Sequence, residues 1–238
     1  MNPYQKLMAR KRKWTPVQTT AGTCKPGAEE AIYRALALRH MELPVGDFIT
    51  HALNYEVPTL AREVLESNVK DEENHDIALG YIANAYGVDP QAEKEALRLR
   101  TAWEAHPDHT ITKALVAERA IFFVLLPFFS FNGDAGMRTV SADISRDEQI
   151  HVATNSLVHT ELGYNISPSL DKLRKATINW VMQPLGINTV DKYLDKKFWL
   201  ESSDRLMYEG KAPQLAETKS ARMPAFFEHS NVNLPQYA

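Results

Sequence analysis

The sequence predicts an all-α protein, and three observations carry that prediction. Apolar residues recur at spacings of three and four through long segments, strand-like alternation is scarce, and glycine is sparse, with 10 residues in a chain of 238 against the roughly 7% of an average protein. No Gly-rich phosphate loop occurs, so a nucleotide cradle is not expected. Residues 1–26 read as a basic, turn-containing arm with Lys11-Arg12-Lys13, Pro16 and Pro26. A first helix is predicted over 27–43 and stopped by Pro44, with Ala31, Ala35, Leu38 and Glu42 on one stripe. After a short segment, Pro58 opens a long helix that Gly87 ends. Its inward stripe is Ala61, Leu65, Asn68, Glu72, His75, Leu79, Ile82 and Tyr86, while Arg62, Glu63, Glu66, Lys70 and Glu73 lie on the reverse face. Amphipathic logic therefore turns a carboxylate and an imidazole toward the core.

Asp89-Pro90 caps a connecting helix that runs to about residue 104. Residues 110–131 are apolar nearly all round, the mark of a buried helix, with Lys113, Glu118 and Arg119 as the only charges. Glu118 shares a stripe there with Leu115, Phe122, Leu125 and Phe129. A further long helix over 136–162 aligns Ile144, Glu148, His151, Asn155 and Val158. Helices over 169–182 and 190–208 precede a polar tail. The expected organisation is one domain: arm 1–26, helical bundle 27–208, and C-terminal segment 209–238.

Composition excludes several functions. The formal charge of −3 and a pI near 6.2 lack the clustered Lys/Arg excess that grips nucleic acid or an anionic membrane. The longest apolar run, 120–131, is interrupted by Pro127 and is about half the roughly 20 residues a membrane helix needs. No charged-then-apolar leader is visible and Cys24 is the only cysteine, which rules out internal disulfides and points to a reducing cytoplasm.

The chemistry sits in two motifs. Glu72-x-x-His75 and Glu148-x-x-His151 each place a carboxylate and an imidazole on adjacent turns of one helical face, within reach of a single metal ion. A dinuclear di-iron or di-manganese site in a four-helix bundle needs two more carboxylates from the remaining helices. Glu118 is one donor. Glu42 is the other: it precedes Glu72 by thirty residues as Glu118 precedes Glu148, although Glu29 and Glu30 on the same helix are alternatives. Burying several carboxylates without cations would be costly, because like charges resist joint ionisation.

The segment Ile144-Ser145-Arg146-Asp147-Glu148-Gln149-Ile150-His151 resembles the signature of the small, radical-generating subunit of class I ribonucleotide reductase. Trp14-Thr15-Pro16, Glu118-Arg119-Ala120-Ile121-Phe122-Phe123 and Met223-Pro224-Ala225-Phe226-Phe227-Glu228 resemble other segments of that family in the same order. The resemblance spans nearly the whole chain and is weakest over 87–110, where the connection to the third helix is short. It implies a ferritin-like bundle with additional helices and metal ligands Glu42, Glu72, His75, Glu118, Glu148 and His151. It further implies a hydrophobic wall of Phe122, Leu126 and Ile144 beside the oxygen-binding face, and a radical route through His75, Asp147 and Trp14, with Tyr237 as the tail relay. The implied partners are a large (alpha) catalytic subunit and a second copy of the chain in a homodimer; the thiols that ribonucleotide reduction consumes must come from the large subunit, since Cys24 is alone here. No nucleic acid and no membrane partner is expected.

Two departures from the family pattern are informative. The radical-storing tyrosine of the family falls four residues after the first ligand histidine, where this chain has Leu79; an aliphatic side chain cannot hold a phenoxyl radical. Tyr81 lies around 200° further about the helix, and Tyr86 three turns away. The resemblance therefore implies a metal-based oxidant, held by a manganese–iron, dimanganese or di-iron pair among which these ligands do not choose. The chain also ends one residue after Tyr237, without the docking tail usual in the family. The competing reading is a stand-alone ferritin-like dimetal oxidase or oxygenase, which calls for a substrate cavity beside Phe122 and Leu126.

Overall fold

The structure is a computed structural model and describes residues 1–18, 22–54 and 57–215. It is all-α, as the sequence predicts; among the described residues there is no strand, only isolated bridges pairing Cys24 with Gly133 and Gly186 with Asp195.

The basic arm contains a helix that the sequence reading did not anticipate, α1 (Pro3–Met8). It starts on a reciprocal cap: Asn2 Oδ1 accepts from the Gln5 N–H at 2.9 Å, and Gln5 Oε1 from the Asn2 N–H at 3.0 Å. Tyr4 and Leu7, three residues apart, bury themselves where α1 meets α4 and α8.

The expected first helix is longer than predicted and has a break. α2 (Glu29–Ala37) tightens into a 3-10 turn, Leu38–Met41, and continues as α3 (Glu42–Leu53). Pro44 does not stop it. It is the third residue of α3, inside the first turn, where an α-helix has no internal use for the N–H that proline lacks. The break makes Glu42 the first residue of a new helix.

α4 (Arg62–Tyr86) follows a 3-10 turn, Thr59–Ala61, and ends at Gly87, whose φ of +94° suits only glycine. α5 (Pro90–Ala105) carries the Asp89 cap. α6 (Thr110–Ala117), a π turn (Glu118–Phe122) and α7 (Phe123–Asn132) form one continuous rod. The most apolar 18-residue stretch of this 23-residue rod has a mean hydropathy of 1.8, long and apolar enough to cross a membrane, unlike the shorter run read from sequence; yet 83% of that stretch is buried inside the molecule. It is a core helix. α8 (Ala135–Glu161) is capped by Asp134 and α9 (Pro168–Met182) by Ser167. α10 (Lys196–Glu209) begins later than the expected residue 190, because Asp191 and Asp195 side chains cap first a 3-10 turn and then the helix itself.

Four elements enclose the centre. Going round, α3 packs on α4, α4 on α8, α8 on the α6–α7 rod, and the rod back on α3. Outside them α2 packs against α5 and α9, and α10 against α9, α7 and the π turn. Large side chains seal this outer layer. Trp103 and Trp199 are fully buried, with indole N–H groups donating to Thr177 Oγ1 and the Tyr193 carbonyl, each at 3.0 Å. The segment Met223 to Glu228 and Tyr237 lie outside the described residues.

Candidate metal centre

Each of the four enclosing elements sends at least one acid inward. Glu42 comes from the first turn of α3, Glu72 and His75 from α4, Glu118 from the π turn, and Glu148 and His151 from α8. All six are at most 3% exposed. Ligand atoms of Glu42, Glu72, His75 and Glu148 lie within 4.8 Å of one another, and so do those of Glu72, Glu118 and His151. The two groups share Glu72. His151 Nδ1 is 3.0 Å from Glu72 Oε1, while His75 Nδ1 is 3.3 Å from Glu72 Oε2 and 3.4 Å from Glu148 Oε1. The carboxylates of the two Glu-x-x-His helices thus lie between the imidazoles, in place of the separate Glu–His pair per metal read from spacing. Glu29 and Glu30 are elsewhere: Glu29 accepts the Gly27 N–H, and Glu30 pairs with Arg34 at the surface.

The donor set fits a pair of divalent cations. Glu42 Oε2, both oxygens of Glu72 and Glu148, Glu118 Oε1 and Nδ1 of both histidines are buried without a hydrogen-bond partner. Buried polar atoms are otherwise paired in native proteins, so a cluster of inward-facing orphans is what removal of a cation would leave. Four ionised carboxylates carry a formal −4, which two divalent ions neutralise, and oxygen with imidazole nitrogen suits iron and manganese alike.

Without cations the cluster is electrostatically frustrated. Burial, then repulsion among the neighbouring carboxylates, drives Glu118 well above the ordinary carboxylate range; burial does the same for Glu42, and it raises Glu148, despite nearby imidazoles. Burial would raise Glu72 too, but contacts with His151 and His75 overcome it and hold that group low. Burial opposes charge on the imidazoles, yet the surrounding acids outweigh it, pushing His151 up to about 10 and His75 well above its usual value. Divalent cations at this point would relieve the repulsion among the carboxylates and would compete with protons for them.

The outward nitrogens of both histidines face aspartates. His75 Nε2 is 3.4 Å from Asp147 Oδ2, to which the Trp14 indole N–H donates at 2.6 Å. The Trp14 ring stacks beside His75, centroids 6.2 Å apart. His151 Nε2 is 3.0 Å from Asp71 Oδ2, which in turn pairs with Lys11. Asn155 Nδ2 donates to Glu118 Oε2 at 2.7 Å. Asp71, Lys11 and the role of Asn155 escaped the sequence reading. The signal for Asp71 was present: both motifs read Asp-Glu-x-x-His, Asp71 preceding Glu72 as Asp147 precedes Glu148.

Leu79 and Phe122 meet Glu42 at the edge of the cluster. With Leu125, Leu126 and Phe129 they line a cavity of about 10 Å³, room for roughly one water-sized molecule. Ile144 is buried but does not line it. Tyr81 is half-buried and belongs to neither ligand group; the Tyr86 hydroxyl lies 2.6 Å from Cys24 Sγ.

No protein-family profile matches the sequence, and no curated protein matches it significantly. Among solved structures, the chain is similar to a protein from Bacillus halodurans described as a candidate class I ribonucleotide reductase. The identity is 15%, the TM-score 0.55, and the match covers 92% of this chain and 95% of the other. At that identity the likeness speaks for the fold, and the fold is of the class expected from the sequence: an all-α bundle around a buried carboxylate–histidine cluster.

Proposed function

We propose that this chain is the small, radical-generating subunit of a class I ribonucleotide reductase. In this reading Glu42, Glu72, His75, Glu118, Glu148 and His151 hold two metal ions, manganese–iron, dimanganese or di-iron. The observation that carries it is the unbroken line from the inward Nδ1 of His75, through Nε2 and Asp147, to the Trp14 indole on the N-terminal arm. When bound, the metal pair supplies a one-electron oxidising equivalent after reaction with an oxygen species.

The protein's own residues give that oxidant its route and its confinement. Asp147 accepts the Trp14 N–H, so when Trp14 gives up an electron toward the cluster, the acidified indole proton has an acceptor 2.6 Å away. Stacking of Trp14 beside His75 keeps the transfer short. Leu79, Phe122 and Leu126 present no phenol and leave space for roughly one water, so with leucine at position 79 the side chains at this wall would offer no site for a tyrosyl radical. Tyr237, beyond the described residues, then relays the radical to a large, cysteine-bearing catalytic subunit. A homodimer working in the cytoplasm belongs to the same reading. The stand-alone oxidase is disfavoured by size: a cavity of about 10 Å³ is far below the roughly 300 Å³ at which small-molecule pockets begin.

The test is ribonucleotide reduction by the metal-loaded full chain with a class I large subunit, accompanied by electron paramagnetic resonance. Wild type should turn over without a tyrosyl signal, and Trp14→Phe should keep two metals while turnover falls to background. A tyrosyl radical contradicts the metal-based oxidant, and full turnover in Trp14→Phe contradicts the route.

A further inference from the structure

The two imidazoles are held from outside in parallel but unequal ways. Each Nε2 faces an aspartate contributed by the opposite motif helix, His75 facing Asp147 of α8 and His151 facing Asp71 of α4. Each aspartate is met by the same short stretch of the N-terminal arm, three residues apart. Trp14 brings a neutral N–H to Asp147; Lys11 brings a full cation to Asp71. The Lys11 and Asp71 side chains are 9% and 12% exposed, so water screens their attraction little. Among the described residues no Lys or Arg lies within ion-pair distance of Asp147, whose Oδ1 is a buried orphan. One half of the centre is therefore backed by a compensated carboxylate and the other by a bare one.

We propose that Lys11 is a positioning residue for one half of the metal centre. It anchors Asp71 against His151, so that the arm sets the affinity of the His151 metal position separately from that of the His75 position. The inference rests on the reading of the cluster as a dinuclear metal site. The physical ground is the orientation of the ligand. An imidazole that ligates through Nδ1 is fixed in tautomer and ring angle by the acceptor at its other nitrogen. Asp71 is that acceptor for His151, and burying its carboxylate without the ammonium of Lys11 leaves a charge that breaking a buried pair makes costly. Deprived of Lys11, Asp71 turns toward solvent and His151 loses its outer hold. His75 is untouched, since its outer partner is Asp147, which Trp14 holds.

The test is stepwise calorimetric titration of the metal-free full chain with Mn(II), with the helical circular dichroism signal as the control for folding. Wild type should bind two equivalents. Lys11→Met should weaken one of them by about 10–100-fold, the usual consequence of losing an outer partner of a ligand, and leave the other within about twofold, the scale of a change that touches nothing essential. Lys11→Arg should restore both, because it returns the cation. Lys11→Gln, which keeps a polar tip, should show the same split as Lys11→Met and carries the test if the methionine disturbs the arm. Equal weakening of both equivalents, or two unaltered equivalents in Lys11→Met and Lys11→Gln, overturns the proposal. A wild-type chain that binds no Mn(II) overturns the metal-site reading itself, a separate result.

Discussion

Two polar clusters flank the π turn, one opening to the surface and one fully buried, and they meet their hydrogen-bonding needs in different ways. On the outer side, Arg174 is fully buried between α9 and α10. It donates to Asp171 Oδ1 at 2.7 Å, to Asp204 Oδ1 at 2.7 Å and to Ser203 Oγ at 2.7 Å. Ser203 passes its own hydroxyl proton to the Ala120 carbonyl at 2.6 Å, and Tyr208 donates to the second oxygen of Asp171 at 2.6 Å. Asp204 and Tyr208 also reach solvent, so protein and water together satisfy this cluster. On the inner side, Glu118 of the same π turn joins a cluster in which most carboxylate oxygens and both inward nitrogens have no hydrogen bond. The outer cluster completes its hydrogen bonds partly at the surface, whereas the inner one concentrates its unpaired oxygens and nitrogens on one fully buried point. In the proposed reading these atoms are metal ligands and their partners are cations.

That contrast can be broken from the outer side first. Arg174→Ala leaves Asp171 without its main cation in a half-buried place and strips Ser203 of a donor. The expected loss is about 1–3 kcal/mol of stability, the scale for leaving a buried hydrogen-bonding group unsatisfied and losing the packing of the arginine stem, read by chemical denaturation. Two metals per chain should remain, because no ligand is touched; metal loss in a folded Arg174→Ala would show that the clusters are not independent.

The inner cluster should respond with the opposite sign. Glu118→Gln keeps an acceptor for Asn155 but removes an acid that burial and neighbouring carboxylates hold well above its ordinary range. A raised carboxyl pKa contributes stability at low pH and forfeits it as pH rises, so deleting the group should stabilise the metal-free protein near neutrality. The gain is on the order of 1–2 kcal/mol and should fade as pH falls through about 4.3, where Glu118 of the unfolded chain protonates as well. A denaturation midpoint that drops at pH 7 in the metal-free variant would say that the orphaned carboxylates are not strained, and the comparison would lose its force.

Much of this architecture was legible in the sequence because periodicity is local. The stripe Leu65, Glu72, His75, Leu79 is a surface of one helix, and a polar pair on an apolar stripe announces itself without tertiary information. Glu42 could be preferred over Glu29 and Glu30 on the same grounds. Other features needed the third dimension. Pro44 reads as a stop unless the preceding 3-10 turn, which restarts the helix at Glu42, is known. The arm read as coil because Tyr4 and Leu7 span too little chain to show a period, although the Asn2–Gln5 cap was on the page. Lys11 and Asp71 are 60 residues apart, and nothing in a basic run says which of its members will turn inward. The buried helix over 110–131 was legible despite Lys113, Glu118 and Arg119, while the hydropathy of the whole rod exceeds what its uninterrupted apolar run suggests.

The central claim is a dinuclear metal site, and metal stoichiometry tests it most directly. The full chain, stripped with chelator and reloaded anaerobically with Mn(II) and Fe(II), should retain two ions per chain after desalting by elemental analysis, and a folded His151→Ala variant should lose that stoichiometry. Retention of no metal by wild type, or of two ions by His151→Ala, would contradict the account.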